Sequence, residues 1–507
     1  MSIIARHLCR LLVRCMVLLI MVSGVYSATH QSFQAHLTGW YPTEKNELAT
    51  LLDHLDYQAR EQYAAAADKT IRALVVPHAG YTYSGVVAAA AYRLLDKAVY
   101  KTVFVICPAH AELFDGIGLP TFSKYVVPNG TVTIARSLVE KLATESPFVY
   151  DDISYQQEHA IEIQLPFIKH YMPKAQVVPL IIGNVSAQQL QDAAQVLAPL
   201  ITKKTLVVIS TDFTHYGKRF VYTPFGDYQS LRIRQLDNQA LALIQHGQVQ
   251  PFTQFVKKTG VTICGHQALA LLLNLIEQSA FGDVEPRVIA YAQSNPLVDD
   301  SSESVSYAGL LFTNQQWHTL TPRQQMSQFE RTELLHTARL ALNHLFDVEF
   351  EKMLYAPMST PLTRAIRGAF VTLKVRATGA LRGCIGLIQP ADSLAVIIPT
   401  LVRDAALHDM RFSPVTPAEV AALTIELSLL TPARRIKGPE DIELGTHGII
   451  LHHGRHQAVY LPEVAVEQGW DVPTTLNSLS EKAGLPANAW HDKETWFDVF
   501  ESIKISE

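Results

Sequence analysis

From residue 70 to residue 313 the chain alternates short, uninterrupted apolar runs with longer stretches whose apolar positions recur every three or four residues. The runs at 71–77 (IRALVVP), 102–108 (TVFVICP), 176–183 (QVVPLIIG) and 205–210 (TLVVIS) are rich in Val, Ile and Leu and show no polar alternation, which predicts strands covered on both faces. Between them, 84–98 (SGVVAAAAYRLLDKA), 186–200 (SAQQLQDAAQVLAPL) and 228–247 (YQSLRIRQLDNQALALIQHG) have helical composition and spacing. Strands alternating with helices define an α/β layer fold.

The pattern changes near 313. The polar stretch 313–328 (TNQQWHTLTPRQQMSQ) carries Thr-Pro and predicts a linker, placed at 314–326. Beyond it, 329–346 puts Leu334, Ala338, Leu342 and Leu345 on one helical face. The segment 369–390 then predicts a hairpin, with Val371, Leu373 and Val375 alternating with Thr372, Lys374 and Arg376 before a Thr-Gly turn. TPAE at 416–419 has the form of a helix-starting capping box, and 423–432 (LTIELSLLTP) predicts another strand. The second domain, 327–505, is therefore expected to be α+β.

Length and charge narrow the class of protein. A chain of 507 residues is too long for one ordinary core. The net charge of −5, with no basic block outside the extreme N-terminus, argues against a nucleic-acid partner. Residues 1–28 place Arg6, Arg10 and Arg14 before an uncharged apolar stretch and then Ser27 and Ala28, the order of an export signal. The expectation is a cleaved signal peptide or a retained N-terminal anchor. The bulk of the chain would then be exported, periplasmic or anchored at the inner membrane, with membrane contact only through that segment if it is uncleaved; without a genuine signal the location would be cytoplasmic. Outside this segment only Cys107, Cys264 and Cys384 remain, which is no disulfide framework.

Chemistry gathers where the apolar runs end. His78 follows LVVP, His110 follows FVICPA, and Asp212 and His215 follow LVVIS. A single strand-end histidine has a purely structural reading, but ligands in open α/β sheets collect outside the carboxyl ends of the strands. Three imidazoles and a carboxylate delivered to one rim suit a transition metal, and two His with an anionic ligand suit Fe(II) and oxygen chemistry. Cys264 stands at the expected start of the apolar helix in TICGHQALALLLNLI (262–276), where helix N–H groups favour a thiolate, with Gly265 beside it allowing close approach. Its alternative is a buried small hydrophobe. In QQEHAIEIQLPFI (156–168), Glu158 and Glu162 are four apart and would share a helical face with His159 beside them. They would serve as carboxylate ligand, proton shuttle or anchor for a ligating imidazole, or form a solvated edge.

At these residues the region 37–313 resembles the Memo family, through GWYP (39–42), PHAGYTYSG (77–85), CPAHAELFDG (107–116), QEHAIEIQLP (157–166), STDFTHYG (210–217), TICG (262–265) and DSSESVSYAG (300–309). The resemblance implies the fold of class III extradiol ring-cleaving dioxygenases and a metal held by His78, His110 and Cys264, with Asp212 and His215 nearby. Those dioxygenases use a carboxylate where Cys264 stands, so ring cleavage is not implied by the fold. Ala111 also occupies a position where Memo proteins often carry a second histidine.

The region 327–505 resembles the AMMECR family through LRGCIG (381–386), DMRFSPVTPAEV (409–420), LPEVAVEQGW (461–470) and EKAGLP (481–486). Joined in one chain, the two modules resemble the bacterial AmmeMemoRadiSam system, whose third member is a radical-SAM protein and an expected partner. In LRGCIG, Arg382 would favour a Cys384 thiolate, and Gly383 and Gly386 permit close backbone approach; a packed cysteine in a kinked strand is the alternative. His447 with HHGRHQ (452–457) reads as a polar hairpin tip rather than a metal cluster.

The leading expectation is a metal-dependent redox enzyme acting on an unknown small-molecule or peptide substrate. Its transition metal is expected to be iron ahead of copper or zinc, His215 its acid/base oriented by Asp212, and Glu158 and His159 auxiliary catalytic groups. The alternative is a non-catalytic metal- or peptide-binding adaptor partnering the radical-SAM protein. A zinc hydrolase fits the ligands but lacks a clear water-activating group beyond Glu158.

Overall fold

The computed structural model describes residues 32–63, 71–95, 99–111, 114–226, 228–295, 302–314, 326, 328–347, 368–388 and 394–507. The expected signal or anchor at 1–28 lies outside these residues, as does nearly all of the expected linker. Among the described residues no helix is long and apolar enough to cross a membrane. The chain forms two compact units, Met1–Gln315 and Gln316–Glu507.

The first unit is built on the four predicted apolar runs. They form the strands β1 (Ile71–Val76), β2 (Thr102–Pro108), β3 (Gln176–Ile182) and β4 (Thr205–Ser210), all parallel, in the order β1-β4-β2-β3. Every residue of β1 and β4 is buried, which is why neither run shows polar alternation. Two long antiparallel strands, β5 (Glu285–Gln293) and β6 (Ser304–Thr313), extend the sheet beyond β1, and the short strands Ile117–Leu119 and Phe148–Tyr150 extend it beyond β3, within nine strands in all. The helix Tyr81–Tyr92 packs against β1, and the helix His266–Glu277 against β2 and β4. Because β1, β2 and β4 run the same way, the residues that follow them emerge at one edge.

The second unit is a seven-stranded antiparallel sheet. Its strands β7 (Gly368–Val375), β8 (Leu381–Leu387), β9 (Leu423–Leu430), β10 (His447–His453), β11 (His456–Tyr460) and β12 (Thr495–Ser506) lie in the order β8-β7-β9-β12-β10-β11, with Arg434–Arg435 pairing to β12. The predicted hairpin is β7–β8, turned at Gly379 with φ +70°. Leu334, Ala338 and Leu342 of the helix Gln328–Asn343, with Leu345 just past its end, are buried together with Val371, Leu373 and Ile425, so the predicted apolar face does cover the sheet. With HHGRHQ at the β10–β11 turn, the His447 ring accepts from Glu443 N–H and faces Arg434, which marks it as structural.

LRGCIG lies on the edge strand β8, and most of its residues serve packing. A Cβ on Gly383 would stand 2.0 Å from the carbonyl oxygen of Ala405, because the helix Leu394–Leu407 crosses directly over it. A Cβ on Gly386 would stand 2.2 Å from the Phe370 ring. Arg382 grips Glu419 through Nε at 2.9 Å and donates to the Ser413 carbonyl at 2.8 Å. The backbone of Cys384 on the open edge is covered by a charged pair: Asp409 accepts its N–H at 2.8 Å, and Arg411 donates to its carbonyl at 3.0 Å. The guanidinium that the sequence assigned to the Cys384 thiol is thus engaged elsewhere, and Arg411 is the cation beside Cys384. TPAE also departs from expectation. Glu419 accepts the Thr416 N–H at 2.8 Å, but only the 3-10 turn Val420–Ala422 follows before β9 begins, so no α-helix forms.

Candidate metal centre

His78, two residues past the end of β1, is 2 % exposed. Its Nδ1 lies 3.3 Å from the hydroxyl of Ser210, the last residue of β4. That hydroxyl has one proton and gives it to the Ala160 carbonyl at 2.7 Å, while accepting from Gln164 Nε2. Facing His78 it can only accept, so Nδ1 carries the ring proton and Nε2 presents a lone pair. The Cys264 sulfur stands 3.2 Å from that Nε2.

His110 follows the same logic. Its backbone N–H and its Nδ1 both donate to Glu158, at 2.8 and 2.9 Å. A buried carboxylate on Nδ1 of an imidazole fixes the ring and leaves Nε2 to bind. Burial opposes charge on the His110 ring, but hydrogen bonding to the Cys264 sulfur and to Glu158 outweighs it and lifts its pKa to about 10. Burial raises the Glu158 carboxyl, yet His110 overcomes this and holds it below its ordinary value. A metal ion bound here would displace the His110 proton.

His159 joins from the one-turn helix His159–Glu162. Ring centroids stand 5.0 Å apart for His78 and His110, 5.1 Å for His78 and His159, and 4.5 Å for His110 and His159. One nitrogen from each lies within 4.8 Å of the others, an arrangement that could hold a metal ion. Burial, reinforced by His110, lowers His159 to about 4; burial and the neighbouring imidazoles put His78 well below its ordinary value. Both rings are therefore neutral at pH 7, the form in which an imidazole can bind a metal. Expected as an auxiliary catalytic group, His159 stands instead beside the two expected ligands.

Glu158 and Glu162 do not share a face. Glu158 caps the short helix through the Ala160 N–H at 2.9 Å and turns to His110, whereas Glu162 accepts from the backbone N–H groups of His36 and Leu37. A single turn is too short for the four-residue spacing to act as it would along a long helix.

Cys264 precedes Gly265, the N-cap of His266–Glu277, by one residue. Its sulfur receives the Asp212 backbone N–H at 3.2 Å. A Cβ on Gly265 would meet Thr211 at 2.5 Å, so only glycine lets this loop close on the end of β4. His266 is exposed, its Nδ1 3.1 Å from the Ile263 carbonyl.

Asp212 accepts the His78 backbone N–H at 2.8 Å and is 4 % exposed. Burial raises it to about 6, against the opposing pull of His215 and of the backbone N–H groups it accepts. The expected orientation of His215 by Asp212 is supplied by other groups: His215 Nδ1 lies 3.0 Å from the carbonyls of both Phe213 and Thr262. Carbonyls only accept, so Nδ1 is protonated and Nε2 is the basic atom.

These groups line a cavity of about 530 Å³, with Asp212, His215 and the three clustered histidines on its wall and Trp40, Tyr83, Arg219, Phe220 and Tyr307 around them. Trp40 lies in the GWYP stretch that carried the resemblance, but nothing in spacing gave it a role. The donor set fits a transition ion. A thiolate and an imidazole bound to one metal at about 2.0–2.3 Å stand roughly as far apart as Cys264 Sγ and His78 Nε2 do.

Sheet and site together define an α/β protein with a histidine cluster that could hold a metal. The chain belongs to the Memo-like protein family, which residues 34–311 match; residues 335–505 match the AMMECR1 family. The chain is 31% identical over 299 residues to Protein memo-1 homolog of Caenorhabditis elegans, covering 56% of this chain and 83% of that one. Protein MEMO1 of Xenopus laevis is 30% identical over 285 residues, covering 54% and 94%. The crystal structure of an uncharacterized protein from Pyrococcus horikoshii, 34% identical, covers 34% of this chain and 90% of its own, with a TM-score of 0.31.

Proposed function

We propose that the Memo-like unit is a metal-dependent redox enzyme, with iron the expected metal ahead of copper or zinc. His78, His110 and Cys264 would hold the ion, His159 would stand beside it as a further imidazole donor, and Glu158 would orient His110. The observation that carries this reading is the meeting of Cys264 Sγ and His78 Nε2 at 3.2 Å, with His78 itself lining a cavity of about 530 Å³. A bound transition ion would supply Lewis acidity and, for iron or copper, electron transfer. His215, with its proton held at Nδ1, would accept a proton from substrate at Nε2, and Asp212 would hold the His78 backbone in place. The presence of both families in one chain supports a role in the AmmeMemoRadiSam system with a radical-SAM protein as partner.

Anaerobic purification with elemental analysis tests the proposal. Wild type should carry about one equivalent of transition metal per chain, and His78→Ala and Cys264→Ser should lose most of it, since each removes a ligand. Metal retained unchanged in both variants would overturn the assignment. Metal that is bound but unreactive toward oxygen and reductants would favour the adaptor role.

A further inference from the structure

Glu162 is a buried carboxylate, 1 % exposed, that the proposed chemistry does not use. Among the described residues, the donors it meets all come from one segment. The His36 N–H donates to Oε2 at 2.9 Å, the Leu37 N–H to Oε1 at 2.9 Å and the Tyr41 hydroxyl to Oε1 at 2.6 Å, while His36 Nδ1 lies 2.8 Å from Oε2. The residues before this segment are tied down separately. Ser32–Gln34 pairs with Lys124–Val127, and Phe33 stacks on Phe122 at 5.1 Å. Gly39 turns the chain at φ +82°, and Trp40 then hands its carbonyl to the Tyr81 N–H at 2.9 Å. The Trp40 ring lies 4.7 Å from the His159 ring, and both Gly39 and Trp40 line the cavity.

The short helix therefore has two jobs at its two ends: His159 faces the metal cluster, and Glu162 clips the segment that lies over it. We propose that Glu162 is a positioning residue that holds 36–41 as a strap, setting Trp40 against His159 and limiting exchange between the site and solvent. Charge-assisted hydrogen bonds are the strong ones, and several converge here on one carboxylate. An amide in its place offers a single acceptor oxygen and turns an NH₂ group toward donors.

The test compares wild type with Glu162→Gln, Tyr41→Phe and Trp40→Ala in the full chain. Hydrogen exchange of the His36 and Leu37 amides is read on metal-free protein, so this arm stands whether or not a metal binds. Exchange should accelerate at least about tenfold in Glu162→Gln and less in Tyr41→Phe, with β1 amides unchanged. The second arm rests on the metal reading: zinc-loaded protein is mixed with a chromogenic chelator. Extraction should be faster in Glu162→Gln and in Trp40→Ala at equal initial occupancy, whereas Trp40→Ala should leave the 36–37 amides as protected as in wild type. Unchanged exchange in both Glu162→Gln and Tyr41→Phe would overturn the strap. Should Glu162→Gln fail to fold, Tyr41→Phe decides alone. Extraction no faster in any variant would overturn its control over access.

Discussion

The loop at Cys264 and the strand at Cys384 look alike on paper, each a cysteine among glycines with charged or basic residues near. Their hydrogen bonds separate them. Around Cys264, neighbouring acceptors hold a proton on Nδ1 of His78 and of His110; His78 Nε2 lies 3.2 Å from the sulfur, and His110 hydrogen-bonds to it as well. Around Cys384, Arg382 is taken up by Glu419 and two loop carbonyls, Asp409 and Arg411 pair with each other and with the Cys384 backbone, and the sulfur receives the Thr372 hydroxyl at 3.3 Å with the Arg411 guanidinium beside it. A motif signals chemistry when its polar atoms are left over after the fold has been satisfied. By that measure the first cysteine goes with the candidate site and the second with a joint between a strand and its surroundings.

The contrast can be broken by substitution, and the largest effect should fall on the second motif. Gly383→Ala would drive a methyl group into the Ala405 carbonyl and should destabilise the AMMECR1 unit by about 3 kcal/mol. Denaturation monitored by exchange of β8 amides would register this, while metal content stays at the wild-type level; metal loss instead would tie LRGCIG to the site. Next, Glu158→Gln should lower metal affinity by about 10- to 100-fold, roughly 1.4–2.7 kcal/mol, because it weakens the orientation of His110. Competition against a chelator measures it, and an unchanged affinity would remove Glu158 from the centre.

A smaller effect follows from Glu419, which hydrogen bonding to Arg382 and Thr416 holds at about 2, against an ordinary 4.5. A carboxyl depressed by folding stabilises above its unfolded value and loses that contribution as pH falls from 4.5 through 2. Wild type should exceed Glu419→Gln in stability at pH 6 by under about 1 kcal/mol, since the pair is partly exposed. The difference should shrink steadily as pH falls toward 2, and one that keeps its pH 6 size there would assign the effect to packing. The smallest change is expected of Cys384→Ser, within about 0.5 kcal/mol and with metal content intact. Loss of metal or activity in that variant would erase the distinction between the two cysteines.

Continuous apolar runs gave β1 to β4 almost to the residue, because burial on both faces leaves its mark on every position. The rule that ligands gather beyond strand ends then brought His78, His110, Asp212 and His215 to one rim. What could not be read depends on partners far away in the chain. The helix expected from 84 begins at Tyr81, whose N–H has no partner within the helix and is met by the Trp40 carbonyl across forty-one residues rather than by a local cap. Cys264 and His78 are separated by 186 positions, and no periodicity predicts their contact. Glu158 and Glu162 obey helical spacing, yet the helix ends after one turn and sends them to different tasks. TPAE has the right residues, but β9 starts too soon for a helix to grow.

The Asp409–Arg411 pair has a consequence beyond its own unit. An outermost strand with bare amides and carbonyls is a template on which another molecule can add its backbone, the first step toward ordered aggregates. At Cys384 that template is already occupied by a carboxylate and a guanidinium from the same chain. An incoming strand would have to expel two opposite charges before it could register, so the sheet terminates there rather than growing into its neighbours.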